Sequence, residues 1–289
     1  MTNSPKISII LPCYNGADML GGAIESVQNQ TFKDWELIIV NDCSTDNTLE
    51  IANSYAAKDE RIRVFSNEHN SKLPATLNHG FREARGEYWT WTSDDNLLLP
   101  DFCLEMSHYL DEHPEVGFVV GDEYIIDAEG NIIRESVKPD NLRAKLPLNN
   151  YVGATFMYRK EIALQTGEYR TDLFLVEDYE YWLRMSFLTE MGHVNKILYK
   201  YRHHNRSLTA TRKQEIAERL VRMRLMYSTQ VEQLLHDDPR SLRLFYYRIV
   251  DNLHGYERWI YFWQFAKRLP CSFGLSYLFV HLPHNWIKK

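Results

Sequence analysis

Short runs that are almost wholly apolar, separated by segments of helical period, leave this chain few folds. Ile7-Ser8-Ile9-Ile10-Leu11 is closed by Pro12. Glu36-Leu37-Ile38-Ile39-Val40 follows after residues 17–30, where Leu20, Ile24 and Val27 recur at helical spacing. A strand with no polar alternation has no face to give to water, so such runs predict a parallel sheet covered by helices on both sides. The pattern continues with a helix N-capped by Asp46 and ending near residue 57, and a strand over residues 61–66. A helix over 75–85 and a strand over 88–92 complete the alternating part.

Beyond Pro100 the pattern changes. Residues 101–112 read as a helix and 116–120 as a strand, and Asp127-Ala128-Glu129-Gly130-Asn131 is a hairpin turn between residues 123–126 and 132–133. From residue 211 the chain reads as helical, with a break at Asp237-Asp238-Pro239. The expected division is residues 1–210 as one α/β domain and 211–289 as a C-terminal helical region. The tail is rich in aromatics, notably Trp259-Ile260-Tyr261-Phe262-Trp263 and residues 273–286. Packing on the first domain is the default for it; an oligomer contact or a peripheral membrane contact are the alternatives.

Charge and cysteine usage exclude some classes. A net charge of −6 over 289 residues gives no positive field with which to displace the counterions of nucleic acid. Cys13, Cys43, Cys103 and Cys271 are scattered without C-x-x-C spacing, which favours a reduced, cytoplasmic protein over a disulfide scaffold or zinc site. The start, Met1-Thr2-Asn3-Ser4-Pro5-Lys6, lacks signal-peptide architecture, and no apolar segment reaches the ~20 residues that span a bilayer.

In open parallel sheets the ligand lies beyond the carboxyl ends of the strands. Three polar clusters fall there: Tyr14-Asn15, Asn41-Asp42 and Asp94-Asp95. The acidic pair leaves the aromatic run Tyr88-Trp89-Thr90-Trp91, and two carboxylates at the exit of a buried strand are costly unless a cation meets them. A divalent metal carrying a diphosphate satisfies that need with few protein ligands. An acidic turn capping the helix after Pro100 is the structural alternative. Asp42 has the chemistry to accept the N3–H of uracil, or simply to cap the next helix. Lys72 would donate to a base carbonyl or phosphate, against the default of a solvated loop lysine.

Taken in order, these segments resemble family 2 glycosyltransferases. The resemblance runs from Pro12-Cys13-Tyr14-Asn15 through Gln28-Asn29-Gln30-Thr31-Phe32 and Trp35 to Asp46. It continues with Asn78-His79-Gly80, Ala84 to Tyr88, Asp94-Asp95-Asn96 and Glu177-Asp178-Tyr179-Glu180-Tyr181-Trp182-Leu183-Arg184. It covers roughly residues 5–210, and several motifs in order are far more specific than any one. It implies a GT-A fold (a mixed, mostly parallel sheet flanked by helices), a nucleotide-diphosphate sugar donor, a divalent Mn²⁺ or Mg²⁺, and inversion at the anomeric carbon.

By position, the resemblance gives Asp42 the base and lines the nucleotide with Pro12, Tyr14 and Asn15, with Lys72 near the base. Asp94 would contact ribose, Asp95 the metal, Glu177 the substrate, and Asp178 would be the catalytic base. Tyr201-Arg202-His203-His204-Asn205-Arg206-Ser207 resembles the family's Tyr-Arg-x-His-x-x-Ser segment, which makes His204 a second metal ligand and Arg202 a phosphate contact. Thr92 departs from the usual Asp-x-Asp-Asp pattern, and Leu77 stands in the place of a common arginine. Residues 153–158 would face the acceptor.

The function expected is transfer of a sugar, UDP-linked by preference, to a saccharide or lipid-linked saccharide in bacterial cell-surface polysaccharide synthesis. The enzyme would be cytoplasmic or peripheral at the inner face of the membrane. The rivals are a sugar nucleotidyltransferase, for which Gly16-Ala17-Asp18 is a poor phosphate loop, and a non-catalytic nucleotide- or sugar-binding protein.

Overall fold

A computed structural model describes residues 4–203, 211–253 and 255–267. The chain divides into two compact units, Met1–Leu146 with Asn150–Thr211, and Pro147–Asn149 with Arg212–Lys289. In the first unit the described residues form one nine-stranded sheet.

The apolar runs become β1 (Ile7–Cys13) and β2 (Trp35–Asn41), each buried along its whole length. β1 pairs in parallel with β2 on one side and β4 (Tyr88–Trp91) on the other, and β3 (Ile62–Ser66) lies parallel beyond β2. Side chains alternate across the sheet. Ile7, Ile9 and Leu11 meet Leu20, Ile24 and Val27 of α1 (Leu20–Gln28) in the core cluster on one face. On the other face α3 (Lys72–Glu83) lies so close that a Cβ on Gly80 would overlap Ile10 Cγ2 and sit 3.2 Å from Val40 Cγ2.

The second half of the sheet is mixed, and α4 (Phe102–Glu112), α5 (Leu142–Lys145) and α6 (Lys160–Thr166) lie between its strands in sequence. β4 runs antiparallel to β8 (Phe156–Arg159), β8 antiparallel to β6 (Val116–Ile126), and β6 parallel to β9 (Glu190–Arg202). β9 takes the short β5 (Leu97–Leu98) antiparallel, and β7 (Ile132–Ser136) pairs with β6. The two segments expected at 116–120 and 123–126 are therefore one strand of eleven residues. The turn between β6 and β7 closes as expected: Asp127 accepts from Asn131 N at 2.8 Å and Gly130 takes φ +95.

Helix starts differ from the sequence reading. α1 begins at Leu20, not residue 17, because Gly16 and Ala17 donate their amides to side chains of the next loop. Asp46 does not cap α2 (Thr48–Ala56); Asn47 holds that place, while Asp46 accepts from Thr48 N at 3.0 Å. α3 starts at Lys72 with Pro74 in its first turn, where a missing amide costs nothing. Trp89 is core, stacked on Phe81 with ring centroids 5.2 Å apart.

The second unit holds helices Lys213–Met226, Ser228–Leu234, Pro239–Val250 and Gly255–Ala266. The break falls where the sequence put it: Asp238 accepts from Ser241 N at 3.0 Å, with Pro239 at the first helical position. Within this unit Tyr246 stacks on Phe265 at 4.1 Å, while Tyr256, Trp259, Ile260 and Trp263 are exposed along the last helix. The aromatic stretch 273–286 lies outside the described residues.

Gly80→Ala sets two effects against each other. Alanine would favour the helix by about 1 kcal/mol, but overpacking against the branched Ile10 costs about 1–3 kcal/mol. We expect a net loss, seen as a lower urea midpoint at unchanged m-value; a higher midpoint would show that α3 is free to move off the sheet.

Candidate active site

The carboxyl ends of β1, β2 and β3 lead into three loops tied together by side-chain acceptors meeting backbone amides. Asn15 donates its N–H to Ser44 Oγ at 3.0 Å, and its Oδ1 accepts from Thr45 N at 2.8 Å. Gly16 N donates to Thr48 Oγ1 at 2.9 Å and Ala17 N to Asp46 Oδ2 at 3.2 Å. Asn15 makes this reach at φ +53, a left-handed conformation that asparagine tolerates.

Asp42, buried at the end of β2, is the hub of the other side. Its Oδ1 accepts from Asn67 Nδ2 and Ser71 N, both at 2.8 Å, and its Oδ2 accepts from Lys72 N at 2.9 Å. The carboxylate thus shapes residues 67–72, and one lone-pair direction on Oδ2 remains for a ligand. In the same loop Asn70 Oδ1 is buried without a hydrogen-bond donor. Tyr14 is half-exposed at the rim, and Pro12 is buried within β1.

The acidic pair leaves β4 through a braced turn. Thr92 N donates to Ile10 O at 2.9 Å, and Thr92 Oγ1 shares a 2.6 Å hydrogen bond with Tyr199 OH. The residue that departs from the family pattern is thus part of a buried polar contact. Asp94 lies against Gly16, where any Cβ would overlap Asp94 Oδ2. Burial, then the neighbouring Asp95 charge, and then Asp46 push the Asp94 carboxyl up to about 7.

Arg202 holds the turn from behind. Its N–H donates to Asn96 Oδ1 at 2.7 Å and its Nε to Asp95 O at 2.9 Å. Nη1 donates to Asp127 O at 3.1 Å and Ala128 O at 2.7 Å. Through its backbone N–H, Nε and Nη1, Arg202 braces the acidic turn from behind.

Asp178 occupies the first turn of α7 (Glu177–Leu188). Its Oδ1 accepts from Tyr179 N at 2.6 Å and its Oδ2 from Asn150 Nδ2 at 3.1 Å. Burial raises the Asp178 carboxyl above the usual range, against those two donors. Glu177 is buried beside it, and Glu180, fully buried, clamps Arg184 at 2.8 and 2.9 Å. Leu175, at φ +84, bends the chain into this helix. α7 is tied back to β4 through Tyr169: its ring stacks on Tyr181 at 3.9 Å and its OH accepts from Trp91 Nε1 at 3.0 Å. Asn78 completes the tie, exchanging hydrogen bonds of 2.9 and 2.8 Å with the Tyr169 backbone.

The structure therefore brings Asn15, Gly16, Asp46 and Asp94 into one cluster, and Asp42 and Lys72 into another. Asp178 forms a third station. His204 lies outside the described residues. Phe156 and Tyr158, expected to face the acceptor, are buried strand residues; Phe156 packs on Trp182 at 4.4 Å. Asn150, Asn70 and the Tyr199 hydroxyl carry no motif and escaped the sequence reading. Gly16 did leave a signal, a glycine directly after the polar end of a strand.

Two aspartates, Asp94 and Asp95, offer hard oxygen ligands suited to Mg²⁺ or Mn²⁺, and the raised Asp94 carboxyl reflects burial first and then like charge held close. Among the described residues no group of three or more His, Cys, Asp or Glu is arranged to hold a metal. A metal here would take its remaining ligands from elsewhere, as a diphosphate would supply.

A family model described as Glycosyl transferase family 2 matches residues 8–167. The EpsE protein of Bacillus subtilis, a glycosyltransferase by name, is 33% identical over 211 residues, 70% of this chain and 74% of its own. The y4gI protein of Sinorhizobium fredii is 31% identical over 207 residues, and the match spans only 23% of that relative's length. Among solved structures, S. aureus TarS 1-349 in complex with UDP-GlcNAc aligns with a TM-score of 0.71 at 19% identity, over 93% of this chain and 82% of that one. The mannosyltransferase PcManGT from Pyrobaculum calidifontis, in complex with GDP-Man and Mn²⁺, gives a TM-score of 0.63 at 17% identity, over 92% and 81%. At these identities the likeness to the solved structures is one of fold.

The raised Asp94 carboxyl sets a pH dependence. Unfolded, Asp94 ionises near 4; folded, it holds its proton to about 7. As pH rises between these values the unfolded chain has already lost the proton, so stability falls, while below 4 both forms are protonated and the penalty is absent. In EDTA, Asp94→Asn is expected to be more stable than the parent at pH 8, on the order of 1–2 kcal/mol after solvent screening, with the gap closing by pH 4. A gap independent of pH, read by thermal melts, would contradict the assignment.

Proposed function

The chain belongs to glycosyl transferase family 2, and from that premise we propose that it moves one sugar from a UDP-linked donor to a hydroxyl of a saccharide or lipid-linked saccharide, with inversion at the anomeric carbon. That it is a glycosyltransferase with the GT-A fold follows from the family match and its fold neighbours. The finer reading rests on its own residues, and on the fact that proteins of this fold have been seen with UDP-GlcNAc and with GDP-Man.

The observation that carries the chemistry is a half-buried carboxylate, Asp178, raised by loss of solvent yet held by two donors. A general base works best with a pKa shifted toward the working pH. Asp178 takes the proton of the acceptor hydroxyl as that oxygen forms its bond to C1 of the sugar. The C1–O bond to the diphosphate breaks on the opposite face, and the nucleoside diphosphate leaves with the bonding electrons. A divalent ion bound at Asp95, with His204 as its second protein ligand, would neutralise charge on that leaving group.

On the donor side, Asp42 and Asn70 Oδ1 provide acceptors for a base that carries an imide N–H, and this supports uracil. Pro12, Tyr14 and Asn15 line the nucleotide, Lys72 stands by the base, Asp94 takes the ribose hydroxyls, and Glu177 faces the substrate beside Asp178. Arg202 braces the acidic turn and meets the phosphate charge of the donor. Residues 1–210 carry the transfer. In the helical region 211–289 the exposed Tyr256, Trp259, Ile260 and Trp263 suit the interface of a membrane that holds a lipid-linked acceptor in cell-surface polysaccharide synthesis. Among the described residues no helix is long and apolar enough to cross that membrane.

Asp178→Asn should lower transfer by roughly 10²-fold or more, with UDP affinity by calorimetry within a factor of about two of the parent. Asp95→Ala should instead remove the gain in UDP affinity that Mn²⁺ gives. Full transfer by the first variant would end the base assignment, and metal-dependent binding by the second would end the diphosphate-metal assignment. A panel of UDP-, dTDP- and GDP-sugars assayed for nucleotide release tests the donor.

A further inference from the structure

A loop on the acceptor side of α7 is fixed by an ion pair that the transfer chemistry leaves unused. Lys138 and Glu123 are both buried, with Lys138 Nζ 2.8 Å from Glu123 Oε1. Burying two charges is expensive even when they meet, and replacing such a pair by apolar residues is often neutral or stabilising. The pair is thus a poor device for stability alone, and its other contacts indicate what it fixes. Glu123 Oε2 accepts from Ala154 N at 3.0 Å and from Thr155 Oγ1 at 3.1 Å. Between the two charges lies Gly153, at φ +69, where a Cβ would overlap Lys138 Nζ and stand 2.5 Å from Glu123 Oε1. Only glycine suits that place, so the pair and the loop backbone are built to each other's shape.

At the start of the same loop, Asn150 turns its amide on Asp178. Asn150 Oδ1 accepts from Val152 N at 3.2 Å, which fixes which end of the amide faces out, and Nδ2 donates to Asp178 Oδ2 at 3.1 Å. The other oxygen of Asp178 is held by Tyr179 N. Building on the reading of Asp178 as the base, we propose that Asn150, on the loop that the Glu123–Lys138 pair anchors, is a positioning residue that sets the rotamer and basicity of Asp178. An N–H donated to a carboxylate favours its ionised form, so Asn150 offsets part of what burial does. The charged and titratable groups that face Asp178 are Glu177 and Glu180 on its own helix and Tyr169 from the preceding segment; Glu180 is neutralised by Arg184.

The test uses the full chain with donor and acceptor, in three variants. Asn150→Ala is expected to lower kcat roughly 10- to 100-fold with the donor KM within about twofold. It should also move the acid limb of the kcat profile to higher pH by roughly one pH unit. Asn150→Asp, of the same shape but without the N–H, should lower kcat further and move the limb further. Asp178→Asn is the control. If it is inactive while Asn150→Ala keeps the parent kcat and limb, the positioning role is overturned and the base stands. If Asp178→Asn is active, the base assignment falls and the positioning role with it. Loss of kcat in Asn150→Ala with no movement of the limb overturns the proposal in favour of a structural role.

Discussion

Three hydrogen bonds to one buried carboxylate decide the shape of the donor side. Asp42 stands where β2 ends, and its oxygens collect a side-chain amide and two backbone amides from residues 67–72. A carboxylate in that position would be prohibitive without such donors. With them it fixes the start of α3, and with α3 the close contact of Gly80 on Ile10. The neighbouring latch repeats the design with Asn15, Ser44 and Thr45. The rim is held by acceptors that reach across loops, so no single loop has to be rigid by itself.

These reaches have a conformational cost, and it is concentrated at the rim. Asn15, Cys43, Lys72 and Leu175 all take positive φ, and all lie in the segments that carry the candidate site. A non-glycine residue in such a region costs on the order of 1–3 kcal/mol. At Asn15 and Lys72 the same distortion delivers a backbone amide to a waiting acceptor, at 3.0 and 2.9 Å. The strain and the hydrogen bond are two parts of one local solution, which explains why these turns are made without glycine.

The parallel half of the sheet was legible because burial on both faces leaves its mark in every residue of β1 and β2. The acidic pair was legible for a related reason: a strand end fixes where its next residues go. The mixed half hid better. β6 contains Gly121, Asp122 and Glu123 in mid-strand, polar residues that read as a break until His193, Lys138 and Thr155 are seen to meet them. The motif around Arg202 gave no sign that it also holds the carbonyls of Asp95, Asp127 and Ala128, 74 to 107 residues distant in sequence. Asn150 belonged to no motif, and its meaning rests on a contact 28 residues away. Motifs name residue types; the partner that sets a residue's task is a matter of topology.

The three aspartates differ in the donors that face them as well as in their burial. Asp42 receives three donors and so is occupied with shaping the loop. Asp94 is raised to about 7 by burial first and then by the charges of Asp95 and Asp46, so positive charge from outside the chain would favour its ionised form. Asp178 lies between these extremes, with two donors set against burial. One donor more would favour the charged form of such a carboxylate, and one fewer would leave burial less opposed. The count of donors facing each carboxylate separates Asp42, which holds the scaffold, from Asp178, the residue we propose as the base.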